Sequence, residues 1–213
     1  MARRLSDPSA QLVALYSRHW SMLGPEGIEE RQAAADLVRI AEAVGDREMA
    51  FRGQYMRLRT ALELGDIVDA DDALERCAAL AGDLRQPFYM WQTLVFRATM
   101  AIAEGRLAEG EQLALKAFEL GQRVAPLPAT TALGAHLALH RLLTGRIEEI
   151  LPRMKDRAES LPGEPVWRAG VAWWCAEAGR EAEARAEFER LAAAGFARLP
   201  RNGNWLASYF PRI

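Results

Sequence analysis

Glycine recurs along this chain at a nearly fixed interval. Gly65, Gly105 and Gly145 stand forty residues apart, in the settings LELGD, IAEGR and LLTGR. Gly24, in SMLGP, precedes Gly65 by forty-one residues, and Gly179, in AEAGR, follows Gly145 by thirty-four. Self-similarity at a period of this size is the signature of a repeat array, in which each unit buries its apolar face against the next. Each glycine closes one apolar pattern, and another opens within a few residues. Glycine suits that place because a helix often ends in a left-handed residue, which costs glycine little.

Between the glycines, apolar residues recur at intervals of three and four, the period of a helix with one buried face. The pattern predicts helices over Pro8 to His19, Ile28 to Val44, Asp46 to Leu64, Ile67 to Leu84, Phe88 to Glu104, Leu107 to Arg123, Ala129 to Thr144, Ile147 to Ser160, Val166 to Ala178 and Glu181 to Ala194. Ser6 or Asp7 is placed to cap the first. Pro87, Pro126, Pro128, Pro162 and Pro165 fall between helices, where breakers belong. No segment alternates with period two as a strand would. Helices joined by such short turns pack antiparallel.

The second helix of each pair obeys a further rule. The residues five, nine and twelve after the glycine are Ala70, Leu74 and Cys77, then Gly110, Ala114 and Ala117, then Ala184, Phe188 and Leu191. Small residues at the first position let two backbones approach closely. The Gly145 unit carries Ile150, Met154 and Arg157 instead and reads as degenerate. The expected fold is all-α: a single tetratricopeptide-like solenoid over residues 1–213, of about five antiparallel helix pairs, with repeat breaks near 24, 65, 105, 145 and 179.

Composition narrows the function. Lys and Arg number 27 against 29 Asp and Glu, a net charge of -2 that gives no general attraction to nucleic acid or anionic membrane. The N-terminal MARRLSDPSAQ lacks the apolar run of a secretory signal, and no stretch is apolar for long enough to span a bilayer. Cys77 and Cys175 lie in apolar helical runs without metal-ligand spacing, as two reduced, buried thiols would. A cytoplasmic protein is expected, without cofactor or metal.

Several segments resemble a known group. These are SRHWSMLGPEGIEERQAAADLVRIAEAVGD (17–46), RLRTALELGD (57–66), LRQPFYMWQTLVFRATMAIAEGRLAEGEQLALKAFELG (84–121) and PVWRAGVAWWCAEAGREAEARAEFERLAAAGFARLPRNGNWL (165–206). They look like the C-terminal tetratricopeptide-like region of large multidomain bacterial signalling ATPases, which also carry a LuxR-type or related DNA-binding domain or a class III nucleotide cyclase. The chain has no G-x-x-x-x-G-K-[ST] phosphate loop and no discernible helix-turn-helix unit. The resemblance therefore implies a scaffold or sensor region rather than the output activity.

The first helix of each pair is expected to line the concave surface. Its candidate binding residues are Tyr55, Arg57, Tyr89, Trp91, Arg97, His136, His140 and Trp173. Arg57 and Arg97 each stand eight residues before a repeat glycine. They could form a guanidinium ladder for an acidic ligand. The favoured alternative is that each pairs with an acid of the neighbouring helix, since a buried arginine needs a partner.

Aromatic residues are numerous: Trp20, Tyr55, Phe88, Tyr89, Trp91, Trp167, Trp173, Trp174, Trp205 and Tyr209. They would line an apolar pocket or pack between helices. Trp173 and Trp174 point about 100° apart, so at most one faces squarely into a core. His136 and His140 share a helix face, but HLALH carries no acid between them and supplies no metal set alone. Acidic runs at Asp69–Asp72 and Glu148–Glu149 read as solvated helix starts.

The function expected is non-catalytic: recognition of a peptide, a protein partner or a small effector in bacterial signalling or transcription regulation, with no direct contact to nucleic acid or membrane. Two alternatives stand beside it. One is an enzyme acting on an apolar intermediate in a concave pocket, with His136, His140, Tyr55 or Tyr89 doing the acid–base work. The other is a dimerisation or spacer module, a homodimer through apolar surface around Trp205 and Phe210.

Overall fold

The computed structural model describes residues 7–21, 27–163, 165–193 and 195–196. Gly24, Trp205, Tyr209 and Phe210 lie outside the described residues, as do the side chains of His19 and Trp20. The described chain is all-helical: α1 (Pro8–Ser21), α2 (Gly27–Val44), α3 (Arg47–Glu63), α4 (Ile67–Leu84), α5 (Pro87–Ala103), α6 (Leu107–Val124), α7 (Pro126–Leu143), α8 (Leu151–Ser160), α9 (Pro165–Glu177) and α10 (Glu181–Ala193). A 3-10 turn (Ile147–Glu149) precedes α8. Sequential helices pack as adjacent pairs, which makes this an all-α helical-repeat fold. Two compact units divide the chain, Met1–Leu133 and Gly134–Ile213, and the division falls within α7.

One turn motif builds the repeat. Gly45, Gly65, Gly105, Gly145, Gly179 and Gly195 all have φ between 62° and 78°. At each, the glycine N–H donates to a carbonyl three residues back and the next N–H to one five residues back: Gly65 to Leu62 and Asp66 to Ala61, Gly105 to Ile102 and Arg106 to Ala101. This pair of hydrogen bonds satisfies carbonyls that the helix end would otherwise orphan. After two of the turns an aspartate caps the next helix. Asp46 accepts from the Met49 N–H at 2.9 Å and Asp66 from the Asp69 N–H at 3.1 Å. Asp7 does the same for α1, accepting from the Ser9 N–H at 3.0 Å.

The cores lie between consecutive helices. In the first unit, Leu12 and Leu15 of α1 meet Ala34, Leu37 and Ala41 of α2 and Met56 of α3. Leu58 and Ala61 then meet Ala70 and Leu74 of α4 and Met100 of α5. The expected residues Ala70, Leu74 and Cys77 are buried, as are Gly110, Ala114 and Ala117. In the second unit, Ile150, Leu151 and Met154 pack with Val171 and Cys175. Both cysteines are free and buried.

Three details differ from the sequence reading. Pro87, Pro126, Pro128 and Pro165 lie in the first turns of α5, α7 and α9 rather than precede them, because a first-turn residue has no intrahelical use for its N–H. The predicted helix over Ile147 to Ser160 is broken at Ile150. Pro152 cannot donate to the Glu148 carbonyl and its ring would clash there, so a 3-10 turn replaces the first helical turn. That shift places Ala158, not Arg157, in the core. Third, Phe188 is exposed, although Leu74 and Ala114 at the equivalent position are buried.

Close backbone approach is most demanding at Gly121. A Cβ there would lie 2.5 Å from both the Ala129 Cβ and the Trp91 Nε1. Gly82, in α4, has nothing within 4 Å. Gly121→Ala should lower stability by about 1–2 kcal/mol, overpacking outweighing the gain in helix propensity. Gly82→Ala should raise it by up to about 1 kcal/mol. Urea unfolding of the two variants checks the opposite signs.

Candidate functional site

The face built by α1, α3 and α5 in the first unit carries a continuous line of half-buried side chains. On α3, Arg52, Tyr55 and Arg59 follow at intervals of three and four, so they share one stripe. The Arg52 guanidinium sits over the Tyr16 ring of α1, 4.9 Å from its centroid, and bonds Glu48 at 2.5 Å. It also contacts the Tyr89 hydroxyl. Tyr55 meets Phe96 of α5 edge-on, with centroids 5.2 Å apart, and bonds Gln92. Burial raises the hydroxyl pKa of Tyr55 above its usual value, so the ring stays neutral and donates or accepts as a phenol.

Phe51 holds this stripe from behind. It is 1% exposed, packs on Tyr89 at 4.6 Å and stacks on Tyr55 at 6.4 Å. The surface that remains exposes aromatic edges and the guanidinium of Arg52, a combination enriched where protein partners bind. Tyr55 and Tyr89 are thus brought together from the predicted set. Tyr16, Arg52, Gln92 and Phe96 were not foreseen. A signal was available for two of them: Arg52 shares one helical stripe with Tyr55 and Arg59, and Gln92 stands forty residues after Arg52.

The other predicted residues lie elsewhere. Arg57 is turned to α4, where its Nε donates to Asp69 at 2.9 Å and its Nη1 to Asp72 at 2.7 Å. Arg97 of α5 reaches back to Glu75 of α4 at 3.4 Å. Both therefore tie helices together by the pairing favoured from sequence, and Asp69 and Asp72 are more than solvated helix starts. Trp91 is 7% exposed, beside Gly121, with its Nε1 unpartnered.

In the second unit, His136 and His140 are 8% and 4% exposed. Burial lowers the His136 pKa to about 4, so it is neutral at physiological pH. The Nδ1 of His140 lies 2.6 Å from the Arg141 Nη1. Among the described residues no group of three His, Cys, Asp or Glu side chains could hold a metal ion. Trp173 donates its Nε1–H to Glu177 at 3.0 Å, while Trp174 packs on the core, so the two adjacent indoles do divide as their spacing requires. Among the described residues no helix is long and apolar enough to cross a membrane.

No protein-family model matches this chain, and no curated protein matches it.

Proposed function

We propose that this chain is a non-catalytic helical-repeat binding domain that holds a peptide or protein partner on the α1/α3/α5 face of its first unit. The observation that carries the reading is the half-exposed line of Tyr16, Arg52, Tyr55, Gln92 and Phe96, which crosses three elements. Aromatic rings supply contact area at low entropic cost, and the guanidinium supplies directional donors for a carboxylate or carbonyl. The Tyr55 ring is already held by Phe51 behind it and by Phe96 edge-on, so a partner need not order it. The local resemblance described above fits such a domain within multidomain bacterial signalling and transcription-regulating proteins.

Peptide display against the whole chain tests this. Selected peptides should lose at least about tenfold in affinity against Tyr16→Ala/Arg52→Ala, since truncating interface anchors costs more than about 1 kcal/mol each. The far-UV circular dichroism should be unchanged. Failure to enrich any peptide, or equal affinity for the variant, would remove this face from the function.

A further inference from the structure

The second unit contains a cavity of about 250 Å³ between α8, α9 and α10. Its wall carries three cations, Lys155, Arg168 and Arg190, and three carboxylates, Glu159, Glu183 and Glu187. Ala158, Val171, Cys175 and Ala186 complete the lining. Val171 and Cys175 are 1% and 0% exposed, so the base of the cavity is core.

The repeat shows how unusual this wall is. Glu187 stands eight residues after its repeat glycine, where α4 has Ala73 and α6 has Leu113. Arg168 stands eleven before, where α3 has Gln54 and α5 has Leu94. Here the last pair places an Arg168–Glu187 ion pair at 3.0 Å, with the two side chains only 24% and 16% exposed. An ion pair so far out of water is seldom more stable than an apolar pair of similar volume. The pair ties α9 to α10 as Arg57 and Asp69 tie α3 to α4, but it does so on the wall of a cavity.

The charges are also incompletely used. One oxygen of Glu187 takes Arg168 and the other takes Arg190 at 2.6 Å. Each arginine thereby spends one N–H of its five, and its remaining donors have no partner among the described residues. Lys155 pairs with Glu183, whose other oxygen takes Arg180 at 3.3 Å. Glu159 has no partner among the described residues.

We propose that this cavity binds a small zwitterion of the α-amino-acid class with a short apolar side chain. Equal numbers of cations and carboxylates select a ligand with no net charge but with both signs. The spare donors of Arg168 and Arg190 take its carboxylate, the free Glu159 takes its ammonium, and the exposed Ala186 methyl lies against its apolar body. The volume lies below the roughly 300 Å³ at which pockets for drug-sized ligands begin, which suits a molecule of this size. The site lies wholly within the second unit and is independent of the peptide face on the first.

Isothermal titration of the whole chain with L-leucine, 3-methylbutylamine and 4-methylpentanoate tests it. Leucine should bind saturably. The amine, which lacks the carboxylate, and the acid, which lacks the ammonium, should each bind at least about tenfold more weakly, because a site built for a polar group rejects the analogue without it. Arg168→Leu/Glu187→Leu, which restores the apolar pair of the second repeat, should melt no lower than the wild type and bind no leucine. Glu159→Gln, at an exposed position, should weaken leucine while leaving 4-methylpentanoate unchanged. Absence of saturable leucine heat, equal binding of the three probes, or unaltered leucine binding by Glu159→Gln or by a folded double variant would overturn the proposal.

Discussion

Replacing Phe51 by alanine should destabilise the first unit by about 3–5 kcal/mol, the cost of truncating a fully buried aromatic side chain and leaving a cavity behind. Phe51 is 1% exposed and belongs to the cluster of Cys77, Ala81 and Tyr89, which joins α3 to α4 and α5. Ala81 and Cys77, which face it from α4, are too small to fill the space left behind. Phe51 also supports Tyr55 and Tyr89, so the binding face should lose its order together with the core. Urea unfolding measures the loss. A cost below about 1 kcal/mol would mean that α3, α4 and α5 do not share the packed core described.

Mild acid should weaken the second unit through His136. Its ordinary pKa is 6.5, and burial lowers it to about 4 in the fold. At neutral pH both folded and unfolded chains carry the neutral ring, so it contributes nothing. As pH falls through about 6.5 the unfolded chain takes up a proton that the folded chain refuses. Stability therefore declines between about pH 6.5 and 4, by up to about 3 kcal/mol, and the contribution levels off below.

The acids with perturbed values act at the lower end of that window and below it. A backbone N–H of Asp69 holds Asp66 low, the Arg76 guanidinium holds Asp72 low, and Lys155 holds Glu183 low. Each contributes stability that is present above its ordinary carboxylate range and lost only as pH falls further. Urea midpoints taken across this range should fall with pH for the wild type and stay level through it for His136→Gln. An unchanged slope would assign the acid sensitivity to another group.

The helix boundaries were legible because one turn chemistry marks them. A left-handed glycine can end a helix without strain, so LELGD, IAEGR, LLTGR and AEAGR locate turns to within a residue. Gly45 and Gly195 close helices by the same hydrogen-bond pair but fall outside the forty-residue interval, so the period alone passes over them. The break at Ile150 was written in Pro152, hidden by an apolar pattern that runs through it.

The binding face was less legible. Apolar spacing says which stripe is buried, but not which partner helix a charged residue on its edge will meet. Arg57 precedes the fully buried Ala61 by one turn, which aims it at α4 rather than outward. Tyr16 joins the face only because α1 packs near α3, a contact between residues distant in sequence. Likewise, Arg168 and Glu187 depart from the repeat register in the sequence, but that they pair with each other is visible only in space.

Hydrogen–deuterium exchange of the whole chain, with and without a display-selected peptide, tests the binding account most directly. The account predicts slower exchange over Arg47–Glu63 and Pro87–Ala103, with α2, α4 and α6 little changed. Protection confined to α2, α4 and α6, or to the second unit, would contradict it.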